Sequence, residues 1–265
     1  MNRTIKNFAT TFLLTIMGIG LMTFTSCDKI GGSSSADSWA HLLNETSYKA
    51  VVNGNTLTYG DHVYTVNGEI DLNATVFDTP TAYVTFTNVP SGYTEFEAVY
   101  NNLLGKSMQG TAAMIPMAIE IYARDASVGE RCLNLLCKGT STVSEMTRVL
   151  KTKFNYSTYS PEGDQYIQRY LPAATLKDAA YNNAYTPSEP YTVELCRSAT
   201  APSTYTFDDY GTLYHLYILA PGGWDSFQRG VDIFKSDNSS LYKVFQCPAV
   251  YSQPKNISGT WRGLK

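Results

Sequence analysis

Three stretches between residues 94 and 154 share one pattern: a hydroxyl residue, a glutamate three places on, and then apolar residues at helical spacing. Thr94 and Glu97 come with Phe96, Val99, Tyr100, Leu103 and Leu104. Ser127 and Glu130 precede Leu133 and Leu136, and Thr142 and Glu145 precede Met146, Val149, Leu150 and Phe154. In such a capping box each side chain satisfies an orphan N–H of the helix start. Apolar residues three and four apart then line one face. Gly105 suits a C-terminal stop. Ala112 to Arg124 reads as a further apolar helix, which Pro116 either starts or kinks. The pattern predicts a helical block over 94–154, and any fold for this chain has to accommodate it.

The flanks have a different period. Residues 44–90 read as a run of strands. Tyr48 to Val52 leads into Asn53-Gly54, and Val63 to Val66 leads into Asn67-Gly68. Asn-Gly is the favoured pair for a tight hairpin, because both turn residues need positive φ. Glu69 to Val76 alternates polar and apolar, as a half-buried strand does, and Ala82 to Phe86 follows Pro80. Together these predict an antiparallel meander with one face packed and one wet. After the helices, 160–190 reads as irregular loop with one strand at Tyr166–Tyr170. Strands return at Tyr191–Arg197, Leu213–Leu219, Gly230–Phe234 and Leu241–Gln246. Strands, then helices, then strands predict an α+β fold: an N-terminal antiparallel β meander, a central helical block and a C-terminal antiparallel sheet. No fixed-period repeat is present.

The first residues carry Arg3 and Lys6 and no acid, followed by the apolar run Phe12 to Phe24. This is the pattern of a signal peptide. The run is short of the roughly 20 apolar residues that a membrane span needs. It ends in Phe24-Thr25-Ser26-Cys27, which resembles the lipobox of bacterial lipoproteins, although Phe24 replaces the usual Leu and Ser26 stands where Gly or Ala is commoner. Ser34-Ser35-Ala36 is the rival cleavage site but lies far from the apolar run. Asp28 to Ser35 is a polar, Gly/Ser-rich tether, suited to holding a domain off a surface. The resemblance implies lipidation at Cys27, with more than one acyl chain for stable anchoring.

Cleavage before Cys27 leaves 239 of the 265 residues, enough for one large domain or two small ones. Removing Arg3 and Lys6 takes Lys+Arg from 20 to 18 against 23 acids, so the formal charge moves from −3 to −5. A mildly acidic chain with no basic run gives no support for nucleic-acid binding. The 20 tyrosines, among Thr and Val, point to exposed β-sheet. Cys132 and Cys137, five apart on a helix, face different ways and pair poorly. Cys196 and Cys247 either pair across neighbouring strands or stay as buried thiols. No zinc spacing is present, and no cofactor is implied.

The chemistry-bearing motifs are few. The sequence has no G-x-S-x-G elbow, H-E-x-x-H, P-loop, dinucleotide fingerprint or EF-hand loop. His41 adjoins the tether, His62 follows a turn at Gly60-Asp61, and His215 shares a strand face with Leu213 and Tyr217. The most site-like feature is Pro221 to Ser226, where glycines permit a sharp turn and Trp224 and Asp225 offer a stacking face and a carboxylate. Trp224, Asp225 and Arg229 are therefore the candidate ligand contacts. The competing structural reading, which is favoured, is a hairpin turn with Asp225 accepting turn N–H groups, Trp224 over the core edge and Asp225 with Arg229 as a fold-holding pair. Asp208 and Asp209, with Asp225, are candidate acids for glycoside hydrolysis, which needs two carboxyls roughly 5 to 10 Å apart across a cleft.

Two segments carry a family resemblance. One runs from Asn101-Asn102-Leu103-Leu104-Gly105 to Cys132-Leu133-Asn134-Leu135-Leu136-Cys137-Lys138-Gly139. The other runs from Tyr185-Thr186-Pro187-Ser188-Glu189-Pro190-Tyr191 to Gly223-Trp224-Asp225-Ser226-Phe227-Gln228-Arg229 and Val231. Over about 94–250 the chain resembles a domain-of-unknown-function family of exported proteins from gut bacteria, chiefly Bacteroidetes and Firmicutes. That family's loop reads G-x-D-S-x-x-R; here Gln228 and Gly230 stand where prolines are expected. The resemblance implies an α+β domain in an exported setting and no particular reaction. The expected layout is a signal peptide (1–26), lipidated Cys27 with its tether (27–43), a β-rich module (44–92) and an α+β domain (93–265). The expected role is a non-catalytic binding or accessory lipoprotein of the cell envelope. Its partners would be a membrane, through the lipid anchor, and a glycan or envelope protein. The alternatives are a glycan-directed hydrolase and an assembly protein that pairs through a sheet edge.

Overall fold

The computed structural model of the chain describes residues 47–154, 168–200, 204–206, 210–259 and 261–265. Four strands come first: β1 (Val51–Asn53), β2 (Thr56–Tyr59), β3 (His62–Gly68) and β4 (Ala82–Phe86). Four α-helices follow: α1 (Tyr93–Asn102), α2 (Met108–Arg124), α3 (Ala126–Leu136) and α4 (Thr140–Phe154). Five more strands complete the order: β5 (Tyr191–Arg197), β6 (Thr204–Thr206), β7 (Gly211–Leu219), β8 (Gln228–Ser236) and β9 (Tyr242–Gln246). The meander, the helical block and the C-terminal antiparallel sheet are those the sequence predicts, and the arrangement is α+β.

All these strands belong to one antiparallel sheet, ordered β1-β2-β3-β4-β5-β7-β8-β9, with β6 also on β7. The meander is therefore continuous with the C-terminal strands: β5 returns from the helices to pair with β4, Ala82 opposite Leu195 and Phe86 opposite Tyr191. Burial alternates along β4, with Ala82, Val84 and Phe86 inward and Tyr83 and Thr85 half-buried. Val193, Leu195, Ile218, Val231, Ile233 and Val244 carry the apolar surface across the sheet. α2 packs against β4, β7, β8 and β9 as well as its neighbouring helices. It is buried from Gln109 to Tyr122, as a helix apolar on every side must be. Each large aliphatic side chain buried there contributes roughly 1.5–3 kcal/mol. Pro116 lies inside α2, so the helix tolerates one missing N–H where packing surrounds it.

The helices exist, but the predicted boxes do not start them. α1 begins at Tyr93 behind Gly92, with no side-chain cap, and the Glu97 carboxylate accepts from the Tyr93 hydroxyl at 2.9 Å. α2 begins four residues before Ala112, where Ser107 Oγ accepts the Gly110 N–H at 3.1 Å. α3 is capped by Asp125, whose Oδ1 accepts the N–H groups of Ser127 and Val128 at 2.9 and 3.1 Å. A carboxylate at the positive end of the helix outcompetes a hydroxyl two residues later. α4 begins at Thr140, so Thr142 sits in its first turn, where its hydroxyl donates to the Phe245 carbonyl at 2.8 Å.

The loops bring further corrections. A hairpin forms at Asn53-Gly54, but one residue along: Asn53 ends β1, paired with Thr56, and the turn residues are Gly54, at φ +59°, and Asn55. Asn67-Gly68 does not: β3 continues through Gly68, which pairs with Ala82. Gly68 has φ +69°, and a Cβ there would lie 2.4 Å from the Thr81 carbonyl oxygen. The predicted strand Glu69–Val76 is irregular. Asp71 Oδ1 accepts the Asn73 N–H at 2.9 Å and the Asp71 carbonyl accepts from Ala74 at 3.2 Å, and this local turn replaces a ladder. Tyr166 and Ile167 lie outside the described residues, and the rest of the strand expected there is turn. Cys132, Cys137, Cys196 and Cys247 are all buried, and no disulfide joins them, so Cys196 and Cys247 do not pair.

Candidate functional site

The Gly-Gly-Trp loop follows β7, and its glycines serve close packing. A Cβ on Gly222 would lie 2.1 Å from the Ala179 carbonyl oxygen, and one on Gly223 would lie 2.8 Å from that of Ala174. Trp224 is only 7 % exposed, so its ring covers the core edge. The Arg229 guanidinium stacks on that ring, 4.8 Å from its centroid. Asp225 turns away to solvent and pairs with Lys255 at 2.8 Å, which draws its carboxyl below the ordinary aspartate range. The expected Asp225–Arg229 pair is thus not formed. Arg229 instead donates to the Ser226 carbonyl, the Ser252 hydroxyl and the Ala249 carbonyl. Position decides this: Arg229, on β8, turns to the buried side beside Trp224, while Asp225 sits on the loop's outer side. The structure brings Trp224 and Arg229 together and sets Asp225 apart.

A concave surface lies next to that region. A groove of about 540 Å³ is bounded by the α3–α4 junction, the first turn of α4, the end of β9 and the turn after it. Its lining combines the rings of Phe245 and Tyr251 with Lys138, Glu145, Gln246 and the Ser141 hydroxyl. Backbone pairing fixes the walls. Lys138 N–H donates to the Val244 carbonyl at 2.8 Å, and Thr142 ties α4 to Phe245. The Lys138 ammonium lies 3.8 Å from the Phe234 ring centroid and 5.5 Å from that of Phe245. Burial, with Glu145 among the neighbouring charges, pushes the Tyr251 hydroxyl upward, so it stays protonated. The volume falls within the usual range of small-molecule sites, and aromatic faces among mixed donors and acceptors suit a polar ligand with an apolar side. No local pattern points to this groove, because its residues come from two segments about a hundred positions apart.

Two histidines have carboxylate partners. His215 Nδ1 lies 2.7 Å from Asp232 Oδ1, and Gln246 donates to the other oxygen of Asp232 at 2.6 Å. A row of polar groups thus crosses β7, β8 and β9 to the groove edge. His215 shares its face with Leu213 and Tyr217, as the strand pattern predicts. His62 Nδ1 meets Glu95 Oε1 at 2.6 Å, and the Tyr64 hydroxyl donates to the same oxygen at 2.7 Å. Ser91 supplies its N–H and hydroxyl to Glu95 Oε2 at 2.7 and 2.8 Å. Burial, and then the adjacent Glu95 charge, push the Tyr64 hydroxyl far up, which keeps it a donor. This cluster ties β3 to α1. Glu95 was readable only as an acid one turn before Val99 on an apolar helix face.

Cys27, His41, Asp208 and Asp209 lie outside the described residues. Among the described residues, no group of three or more His, Cys, Asp or Glu side chains is placed to hold a metal ion, and no helix is long and apolar enough to cross a membrane.

Comparison with known proteins gives one match. The sequence model of a domain of unknown function, DUF6935, matches residues 88–258, which takes in the helical block, β5 to β9 and the groove. No curated protein and no solved structure matches the chain significantly.

Proposed function

Since the chain belongs to the DUF6935 family, whose function is unknown, we propose its role from its own residues: an exported lipoprotein, anchored through Cys27, whose folded part binds a ligand at the cell envelope. The charged start, the short apolar run and the Gly/Ser tether support export and anchoring, with the outer membrane as the destination. The groove beside α4 is the observation that carries the binding role. Phe245 and Tyr251 provide faces on which a sugar ring can stack, while Lys138, Glu145, Gln246 and Ser141 provide hydrogen-bonding groups for its hydroxyls. A glycan is therefore the ligand class that the lining fits best.

The test is a glycan array probed with the soluble protein, Asp28 to Lys265. Binding to at least one glycan class is expected. It should fall by about ten-fold or more in Lys138→Ala/Glu145→Ala, the worth of a lost charge-assisted hydrogen bond. Both residues are exposed, so the melting temperature should hold. Binding that is unchanged in this variant, or no binding across the array, would overturn the reading.

A further inference from the structure

Arg229 is nine-tenths buried and, among the described residues, has no carboxylate partner. Its two terminal nitrogens reach only neutral acceptors, the Ser226 and Ala249 carbonyls and the Ser252 hydroxyl, the last two at 3.5 and 3.3 Å. Among the described residues its Nε–H has no acceptor, and neither does the buried indole N–H of Trp224, whose ring stacks on the same guanidinium. Buried donors are nearly always satisfied, and a buried cation is costly unless an anion compensates it. Two orphan donors on touching side chains, next to an uncompensated charge, therefore call for a common explanation. The nearest acid in sequence, Asp225, does not provide it, because it lies in solvent paired with Lys255.

We propose that Arg229 and Trp224 form a second ligand site, which accepts a carboxylate group. A carboxylate supplies what the site lacks: a negative charge and acceptor oxygens for the Arg229 Nε–H and the Trp224 Nε1–H. The long contacts to Ala249 and Ser252 are the weakest that the guanidinium makes, and a carboxylate oxygen displaces them most readily. Ala249 and Ser252 belong to the turn that also supplies Pro248 and Tyr251 to the groove, so the two sites adjoin through that turn. The site does not rest on the groove's own reading: its residues are different and its ligand is an anion. Acidic sugars and simple organic acids share the carboxylate that it reads.

The experiment measures thermal shifts and calorimetric binding of soluble Asp28–Lys265 with acetate, glucuronate and glucose. Acetate and glucuronate are expected to raise the melting temperature of the parent and of Lys138→Ala/Glu145→Ala, and glucose, tested in that groove variant, is the silent control. A larger response to glucuronate would assign the site to acidic sugars, and an equal one to carboxylates in general. Arg229→Met and Trp224→Phe should each lose about ten-fold or more in affinity, the worth of a charge-assisted hydrogen bond. Trp224→Phe removes the indole N–H together with part of a buried ring, so it should melt lower than the parent without ligand but stay folded, which keeps the test open if Arg229→Met fails to fold. No response to either carboxylate overturns the proposal, as does an equal response to glucose or full retention of binding in Trp224→Phe. Loss of the carboxylate response in Lys138→Ala/Glu145→Ala alone would move the anion to the groove. That result overturns the second site and leaves the groove as a binding surface.

Discussion

With 1 % of its surface exposed, Glu95 accepts hydrogen bonds from His62, Tyr64 and Ser91, so its charge is buried but well provided for. Replacing the carboxylate with an amide keeps the shape and turns one acceptor into a donor that faces other donors. Glu95→Gln should therefore cost about 3 kcal/mol, read as a lower urea midpoint at unchanged slope. A cost below about 0.5 kcal/mol would mean the cluster does not hold β3 to α1. Glu120 gives the opposite sign. Burial pushes its carboxyl above the ordinary 4.5, against the pull of Arg124 and Arg169. The folded state thus favours the protonated acid. Its contribution is fully present below the ordinary value and is lost as pH rises through the raised one. Glu120→Gln, fixed in the neutral form, should be the more stable protein at neutral pH, with the difference vanishing by about pH 4. Arg124 is left partly solvated, 38 % exposed and still donating to Leu264, so it adds little to the balance. Denaturant titrations of both proteins across that range settle the sign.

At the level of single elements, α3 shows how position overrides a motif. Its cap is Asp125, whose carboxylate holds two backbone N–H groups. Asp125→Ala should cost about 1 kcal/mol, and Ser127→Ala clearly less; a larger loss at Ser127 would restore the predicted box. The helices were legible because apolar residues at a period of 3.6 must share a face whichever residue caps them. The start points were not legible: a box names two side chains, and the chain satisfied the same N–H groups with others. Residues 69–76 failed for a related reason. Ile70, Leu72, Ala74 and Val76 alternate as in a strand, but Asp71 bonds its own neighbouring backbone and, among the described residues, no strand pairs with them. Among the site residues, Trp224 was found by residue type, and its buried position follows from Gly222 and Gly223 letting the loop press on Ala174 and Ala179. The groove depends on Lys138 meeting β9, a contact made in three dimensions that no local pattern encodes.

Over the whole chain, the sheet joins what the sequence presents as separate stretches. The family match begins at residue 88, after β4, yet β4 supplies the backbone partner of β5 and Phe86 packs edge-on against Tyr191. The family's sheet is here extended by a meander that shares its core, and the groove lies at its opposite margin, beyond β9. The central claim proposed for this chain is that it is anchored through Cys27. The direct measurement is metabolic labelling of the full-length chain with a clickable fatty acid in a bacterial host, followed by fractionation, for the parent and Cys27→Ala. The account predicts label on the parent in the membrane fraction, and an unlabelled Cys27→Ala protein. An exported parent that carries no label would contradict it.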